Sequence, residues 1–508
     1  MSRKLALAVL LTFFISTGIS YAENDLRTMF LNNQARICGI NIRNFNAQDK
    51  NGNEIIDPNE ESGNFINAVD RLKEIKALGI NTLHVLPITP VGKLKALGTA
   101  GSLYAAAGFD SINEQLLDTT SELSPKEQAK FFVNECHKRD IRVIIDLPSC
   151  GSYDLYLKNP ELFIKDDKTV SIVPSDWTDV RLLNAGTNET LNKDVMTVHK
   201  KFIDMVQEIG FDGIRADVAT IKPYEFWVEL IKYAREKDPE FLFLAEASDS
   251  WREPPSKYAE FTPYDELLRA GFDGYYGSFF NFKEWTPEDL YEHIKFNNKL
   301  FAQYPEKKSV ILSFTTHDEV SPIILHGTKF SEMICWLEAT LPYNPYSIDG
   351  FALGDDYLYR WANNKAKYTD TDDDYYFVHR GKLDIFNFSR KPGVNINRKV
   401  LKNFKQAYKF RANNIDLITQ GEFTPLKTND DKIFAFMISE KCKNPKRIIV
   451  LGNLDFKNTK NDVTLKIPKL SRKAYIELVQ GDGSMIIHKR KLTTSLTPGE
   501  IEIAKIDY

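Results

Sequence analysis

The chain has 508 residues, too many for one ordinary domain and about right for a barrel of roughly 250–400 residues plus an accessory domain. Hydrophobic residues make up 43% and aromatics 12%, enough to bury a large core, and 33 Phe with 22 Tyr leave aromatic surface for flat ligands. The 66 basic and 70 acidic side chains give a formal net charge of −4, which argues against a nucleic-acid partner or polybasic attachment to a membrane.

In chain order, Arg3 and Lys4, an apolar run over 5–15 and the small-x-small triplet Ser20-Tyr21-Ala22 read as a cleaved secretory signal over 1–22. The run is shorter than the roughly 20 residues of a spanning helix. A secreted or periplasmic chain is therefore expected, with no stable membrane insertion after cleavage. Short β-rich runs then alternate with amphipathic stretches, the pattern of a parallel sheet wrapped by helices. Strands are predicted over 37–45, 82–88, 142–147, 213–217, 241–247, 274–280, 310–315 and 339–345. Helices are predicted over 65–78, 127–139, 195–209, 224–237 and 400–411. The stretch 148–192 has little periodicity and reads as an excursion above a barrel. From 416 onward, 432–438, 447–453, 463–467 and 501–506 alternate apolar and polar residues as antiparallel strands do. The expected architecture is α/β: a (β/α)8 TIM barrel over 23–415 with a short excursion at 148–192, followed by a C-terminal antiparallel β-sandwich domain over 416–508. The five cysteines are scattered and show no CxxC spacing, so core thiols are expected rather than a zinc site, with one or two disulfides left open.

Three predicted strands end in acids. In Gly210-Phe211-Asp212-Gly213-Ile214-Arg215-Ala216-Asp217, the two-residue spacing puts Arg215 and Asp217 on one side of a strand. An Arg beside an Asp is expected to keep that carboxylate ionised, as a nucleophile requires. The apolar run Phe241-Leu242-Phe243-Leu244-Ala245 ends in Glu246, in surroundings that suit a general acid. Phe314-Thr315-Thr316-His317 ends in Asp318. A lone acid at a strand end is usually a helix cap or an ion-pair partner. In a barrel, though, the C-terminal strand ends converge on one face, and three such ends make a site.

Near the N-terminus, Asp49, Asn51, Asn53, Asp57 and Glu60 stand at positions 1, 3, 5, 9 and 12 of a twelve-residue loop, with the Ile55 carbonyl at position 7. This is the spacing of an EF-hand-type calcium site, apart from Glu54 where Gly is usual. The bland alternative is a solvated Asn/Asp turn.

The Gly-Phe-Asp-Gly-Ile-Arg-Ala-Asp segment resembles the strand-four motif of the α-amylase superfamily, glycoside hydrolase family 13. The resemblance extends over nearly all of the chain after the signal. It implies a retaining hydrolase or transglycosylase of α-linked glucans or oligosaccharides, working by double displacement. In that reading Asp217 is the nucleophile, Glu246 the acid/base and Asp318 the transition-state stabiliser. Arg215, His317 and Tyr104 bind or orient the sugar, Tyr104 within Gly101-Ser102-Leu103-Tyr104. Many members carry a structural calcium loop after strand one, which maps onto Asp49, Asn51, Asn53, Ile55 and Asp57, with Glu60 left open. Two departures stand out. Asp146-Leu147-Pro148-Ser149-Cys150-Gly151 keeps the strand-three Asp and lacks the family's Asn-His pair, whose His binds sugar in the cleavage subsite; Thr316 replaces an Asn. Lys222-Pro223, Phe226-Trp227 and Ala270-Gly271-Phe272 are similar to the maltosyltransferase branch, which also lacks that His. The competing reading from another class is a catalytically silent barrel used for glycan binding or assembly.

Overall fold

The computed structural model describes residues 25–52, 56, 59–96, 101–167, 171–173, 179–248, 251, 253–254, 256–279, 286–317, 321–355, 393–468, 470, 474–488 and 490–508. The expected signal peptide, together with Asn53, Ile55, Asp57 and Asp318, lies outside them.

Eight parallel strands close into a barrel: β1 (Ile37–Ile40), β2 (Thr82–Val85), β3 (Arg142–Leu147), β4 (Gly213–Ala216), β5 (Leu242–Glu246), β6 (Gly274–Phe279), β7 (Ser309–Ser313) and β8 (Asn344–Ile348). Each pairs with its sequence neighbours, and β1 closes the ring against β8 through Ile37 opposite Tyr346. Period-two alternation sorts the side chains. Leu83, Val85, Val143, Ile145, Ile214, Phe243 and Ala245 face the surrounding helices, in the large core cluster. Ile37, Ile144, Leu242, Leu244, Tyr276, Ile311 and Tyr346 fill the lumen, joined by Leu26 and Phe30 of α1 (Leu26–Leu31). The strand partners of those outward residues, including His84, Asp146, Arg215 and Glu246, therefore face inward. Gly39 is required where it stands, because a Cβ there would collide with the Tyr346 hydroxyl.

The outer layer is built from helices with clear start and stop signals. The main ones are α2 (Leu72–Ala77), α3 (Pro125–His137), α4 (Lys193–Ile209), α5 (Tyr224–Lys237), α6 (Tyr264–Ala270), α7 (Pro287–Phe301), α8 (Pro322–Thr340) and α9 (Arg398–Asn413). A Ser124/Glu127 capping box starts α3, with Pro125 in its first turn. Asn192 caps α4, and Gly210 ends it in the left-handed region (φ 103°), turning the chain directly into β4. No described helix is long and apolar enough to cross a membrane.

The eight strands fall where the sequence puts them, with two shifts of substance. The first strand stops at Ile40, because the Asn41 side chain accepts the Arg43 N–H and starts the helical turn Ile42–Phe45. The eighth is Asn344–Ile348 rather than 339–345; α8 runs on to Thr340, its buried Met333, Ile334, Trp336, Leu337 and Ala339 committed to helix packing. The helix expected over 65–78 divides into a 3-10 turn, Asn67–Arg71, and α2.

Within the excursion after β3, a short hairpin pairs Cys150–Ser152 with Val180–Leu182. At the C-terminus β9 (Glu422–Pro425), β10 (Ile433–Ser439), β11 (Arg447–Asn453), β12 (Lys460–Lys466), β13 (Tyr475–Gln480), β14 (Ile486–His488), β15 (Lys491–Leu496) and β16 (Ile501–Asp507) form a five-stranded and a three-stranded antiparallel sheet. Alternation in β10 explains its complete burial. Phe434, Phe436 and Ile438 join the barrel's core, while Ile433, Ala435 and Met437 join the core between the two sheets. Tyr291 of α7 locks the contact, its hydroxyl donating to the Ala435 carbonyl and accepting the Ala435 N–H (2.9 and 2.7 Å). All five cysteines are free thiols, four of them buried.

Candidate active site

Asp146, Arg215 and Glu246 lie at the C-terminal ends of three adjacent strands, β3, β4 and β5. Pairing sets Asp146 opposite Arg215 and Arg215 opposite Leu244, two residues short of Glu246. Asp217 follows β4 directly. All are nearly inaccessible: Asp146 0%, Arg215 1%, Asp217 7% and Glu246 7% exposed.

The Arg215 guanidinium is shared by three carboxylates. Its Nη1 donates to both oxygens of Asp146 (2.9 and 3.0 Å) and more distantly to Asp217 Oδ1 (3.4 Å). Its Nη2 lies 2.7 Å from Glu246 Oε1. Tyr276 packs beside the same cation, 5.2 Å from ring centre to guanidinium carbon. The second oxygen of Glu246 accepts the Val218 N–H at 2.8 Å. That N–H is aimed by an unusual backbone, since Val218 sits in the left-handed region at φ 37°, ψ 53°, where a β-branched residue is strained. Asp217 is held from the other side by Ser149, whose N–H reaches Asp217 Oδ2 (3.4 Å) and whose hydroxyl donates to the Asp217 carbonyl.

Charge separates the acids. Burial works against ionised Asp146, but Arg215 and then His84 outweigh it and hold the carboxyl down at about 2. Asp217 moves the opposite way: burial and then the charge of Glu246 push it well above the usual range, with Arg215 only partly compensating. The local Arg-x-Asp reading, which kept Asp217 ionised through Arg215, is corrected on this point. The guanidinium lies closer to Asp146 and Glu246 than to the acid two residues along its own strand.

Tyr104 and His317 complete the cluster. The Tyr104 hydroxyl donates to Asp146 Oδ2 (2.7 Å), so its remaining contact, 2.9 Å to His317 Nε2, assigns the proton to that nitrogen. The two rings stack at 5.8 Å between centroids and 14° between planes. Five of the six residues expected to act on or bind substrate, Arg215, Asp217, Glu246, Tyr104 and His317, thus meet in one place. Asp318, next after His317, lies outside the described residues. Sequence reasoning gave no role to His84, whose Nε2 is 3.4 Å from Asp146 and whose Nδ1 meets the Tyr346 hydroxyl at 2.9 Å. Ser149 was equally missed. The one available signal was parity, since Thr82 and His84 are polar positions on the lumen face of a strand otherwise made of Leu and Val.

At the candidate calcium loop, Asp49 is 7% exposed and its Oδ1 accepts the Gly52 N–H at 2.6 Å. Glu60 turns back onto the N–H groups of Lys50 (2.6 Å) and Asn51 (3.2 Å). Of the expected ligands, Asp49 and Asn51 are described, while Asn53, Ile55 and Asp57 are not. The donors are all oxygens, the chemistry of a hard divalent cation, and the buried Asp49 carboxylate fits such an ion. Among the described residues, no three or more His, Cys, Asp or Glu side chains cluster as a metal site.

No protein-family model matches the chain. It is similar to two proteins named α-1,4-glucan:maltose-1-phosphate maltosyltransferase. The one from Bifidobacterium animalis subsp. lactis is 27% identical over 220 residues, covering 39% of this chain and 28% of that protein. The one from Picrophilus torridus is 23% identical over 426 residues, covering 78% and 60%. The chain therefore spans less than two thirds of the length of these relatives. Among solved structures, an α-amylase from Lactobacillus plantarum superposes with a TM-score of 0.68 at 20% identity, over 94% of this chain and 99% of that one. At that identity the structural likeness speaks for the fold alone. The chain resembles the α-amylase superfamily, with a partial resemblance to its maltosyltransferase branch.

Proposed function

We propose that the protein is a retaining glycosidase or transglycosylase acting on α-linked glucans or oligosaccharides. The observation that carries this is the sharing of one buried guanidinium by Asp217 and Glu246, at the ends of adjacent barrel strands, beside an Asp146 that stays ionised. Double displacement needs two carboxyl groups about 5–5.5 Å apart, one ionised and one protonated, and contact of both acids with the same guanidinium supports such a pair. In the ionised form Asp217 attacks the anomeric carbon while Glu246 gives its proton to the leaving oxygen. A covalent glycosyl-enzyme forms, and Glu246 then takes a proton from water or from an acceptor sugar. Arg215 orients both acids, and Tyr104 and His317 line the same cluster as sugar-binding groups. Asp318, which follows His317, is proposed as the transition-state stabiliser.

Two further elements belong to the proposal. Calcium would be held by Asp49, Asn51, Asn53, Ile55 and Asp57, and as a hard cation would supply a structural cross-link in the loop after β1. Residues 1–22 direct export, which makes the working compartment the periplasm or the exterior.

The test is incubation of the purified mature protein with maltooligosaccharides and calcium, with Asp217→Ala as control and products resolved by size. Shortened products indicate hydrolysis and redistributed lengths indicate transfer; both vanish in the control. Binding without turnover in both proteins overturns the enzymatic reading in favour of a silent glycan-binding barrel.

A further inference from the structure

Lys222 is a fully buried lysine that the chemistry above does not use. It follows the 3-10 turn Ala219–Ile221 and precedes Pro223 and α5. Its segment is fastened at several points. The Thr262 hydroxyl donates to the Lys222 carbonyl (2.7 Å), the Thr262 N–H to Thr220 (2.8 Å), and the Trp227 indole to the Ala219 carbonyl (2.9 Å). The ammonium therefore has a fixed origin. Among the described residues its one hydrogen bond is to the carbonyl of Ser149, at 2.9 Å.

Ser149 is the residue that grips Asp217 twice, through its N–H to the carboxylate and its hydroxyl to the main-chain carbonyl. Lys222 thus reaches the Asp217 carboxylate through a single intervening residue. Burying an ammonium costs several kcal/mol unless its charge is compensated, and a methionine would fill the same volume without that cost. The groups facing Lys222 are Asp217, whose negative charge favours the ammonium, the Cys150 thiol, which burial keeps protonated, and His199, which burial and then Lys222 keep neutral. The Phe226 ring lies 6.0 Å from Nζ. Burial lowers the ammonium to about 8, so it remains largely charged near neutrality.

We infer that Lys222 is a positioning residue for Asp217: it fixes the Ser149 loop against the carboxylate and supplies a second buried positive charge besides Arg215. The inference rests on Asp217 being the nucleophile of the proposed reaction.

The experiment compares Lys222→Met and Lys222→Arg with wild type on maltooligosaccharides, reading kcat, KM and the pH profile of kcat/KM. For Lys222→Met we expect kcat to fall by about tenfold or more with KM changed by less than about threefold. The acid limb of the profile moves up by about one pH unit, because removing a cation makes ionisation of the pair harder. Lys222→Arg keeps the charge and recovers part of both. A thermal double-mutant cycle with Asp217→Asn is read independently of turnover. Lys222→Met should lower the melting midpoint less in the Asp217→Asn background than in wild type. An unmoved acid limb, or equal midpoint shifts in the two backgrounds, overturns the inference. If wild-type protein turns over none of the oligosaccharides, the proposed function falls, and the thermal cycle alone decides Lys222.

Discussion

Substituting Asp146 by Asn removes a single negative charge and leaves the side chain's volume almost unchanged. The carboxylate is completely buried, accepts two hydrogen bonds from Arg215 and one from Tyr104, and is held at about 2 against 3.8 for a free aspartate. That depression corresponds to about 2.5 kcal/mol of stability. Asn also turns an amide N–H toward a cation or a hydroxyl donor, so the expected loss at pH 7 is on the order of 2.5 kcal/mol. Because the folded value is depressed, this stability is present above about pH 4 and disappears as pH falls through about 2. The assay is urea or thermal unfolding of both proteins at pH 7 and at successively lower pH. The gap should be full at pH 7 and pH 5 and narrow below about pH 4. In the active protein the same change frees Arg215 for Asp217 and removes a charge that raises Asp217, so the acid limb of the activity profile should move down. A variant as stable as wild type at pH 7 would refute the reasoning, since it would mean that Arg215 does not depend on Asp146.

Tyr104→Phe deletes the hydroxyl that bridges Asp146 and His317 and keeps the stacked ring; it should cost about 1–2 kcal/mol in unfolding and raise KM more than it lowers kcat in steady-state assays. Glu502, buried between the sheets, is pushed up to about 7 by burial and then by Glu500, against hydrogen bonds from Thr494 and Ser484. Its contribution is intact below about pH 4.5 and lost as pH rises through about 7, so unfolding free energies of wild type and Glu502→Gln from urea titrations should diverge by on the order of 1–2 kcal/mol between pH 5 and pH 8, in favour of Gln at the higher pH. Calcium at about a hundredfold excess over its dissociation constant adds about 2.7 kcal/mol to a protein that binds it only when folded. Chelation should therefore lower the melting midpoint of wild type and leave that of Asp49→Ala in place.

How much of this was legible depended on how far each signal reached along the chain. β3 and α5 were read to the residue, because each is a periodic run bounded by polar or proline breaks. The last barrel strand was misplaced because 333–341 is apolar apart from Glu338 and Thr340, and over so short a run neither period dominates. The acids were visible as a local pattern: Arg215 and Asp217 share a side of one strand, and Glu246 ends another. What Arg215 does with its charge was not visible. That depends on the β3–β4–β5 register, which brings Asp146 and Glu246 to the same guanidinium across sequence separations of 69 and 31 residues. His84, Ser149 and Lys222 are isolated polar residues in unremarkable sequence, and each acquires a role only through a partner on another element.

Counting the buried charges connects these residues. Among the described residues of the site, Asp146, Asp217 and Glu246 make three potential negative charges around two buried cations, Arg215 and Lys222. Asp146 is fixed in the ionised state by the better part of the Arg215 fork. What remains of Arg215, together with Lys222, offsets one further negative charge among these residues. The raised position of Asp217 has burial and then the charge of Glu246 as its leading causes. A nucleophile and a general acid separated by one proton is the state from which double displacement starts. The pair begins the cycle correctly only if the proton rests on Glu246 when substrate is bound. Ser149, with Lys222 behind it, donates to Asp217 and favours the ionised aspartate, against the shorter contacts that Glu246 makes with Arg215 and the Val218 N–H. Removing Lys222 should therefore shift the proton toward Asp217, so the loss appears in kcat and in the acid limb while KM is spared.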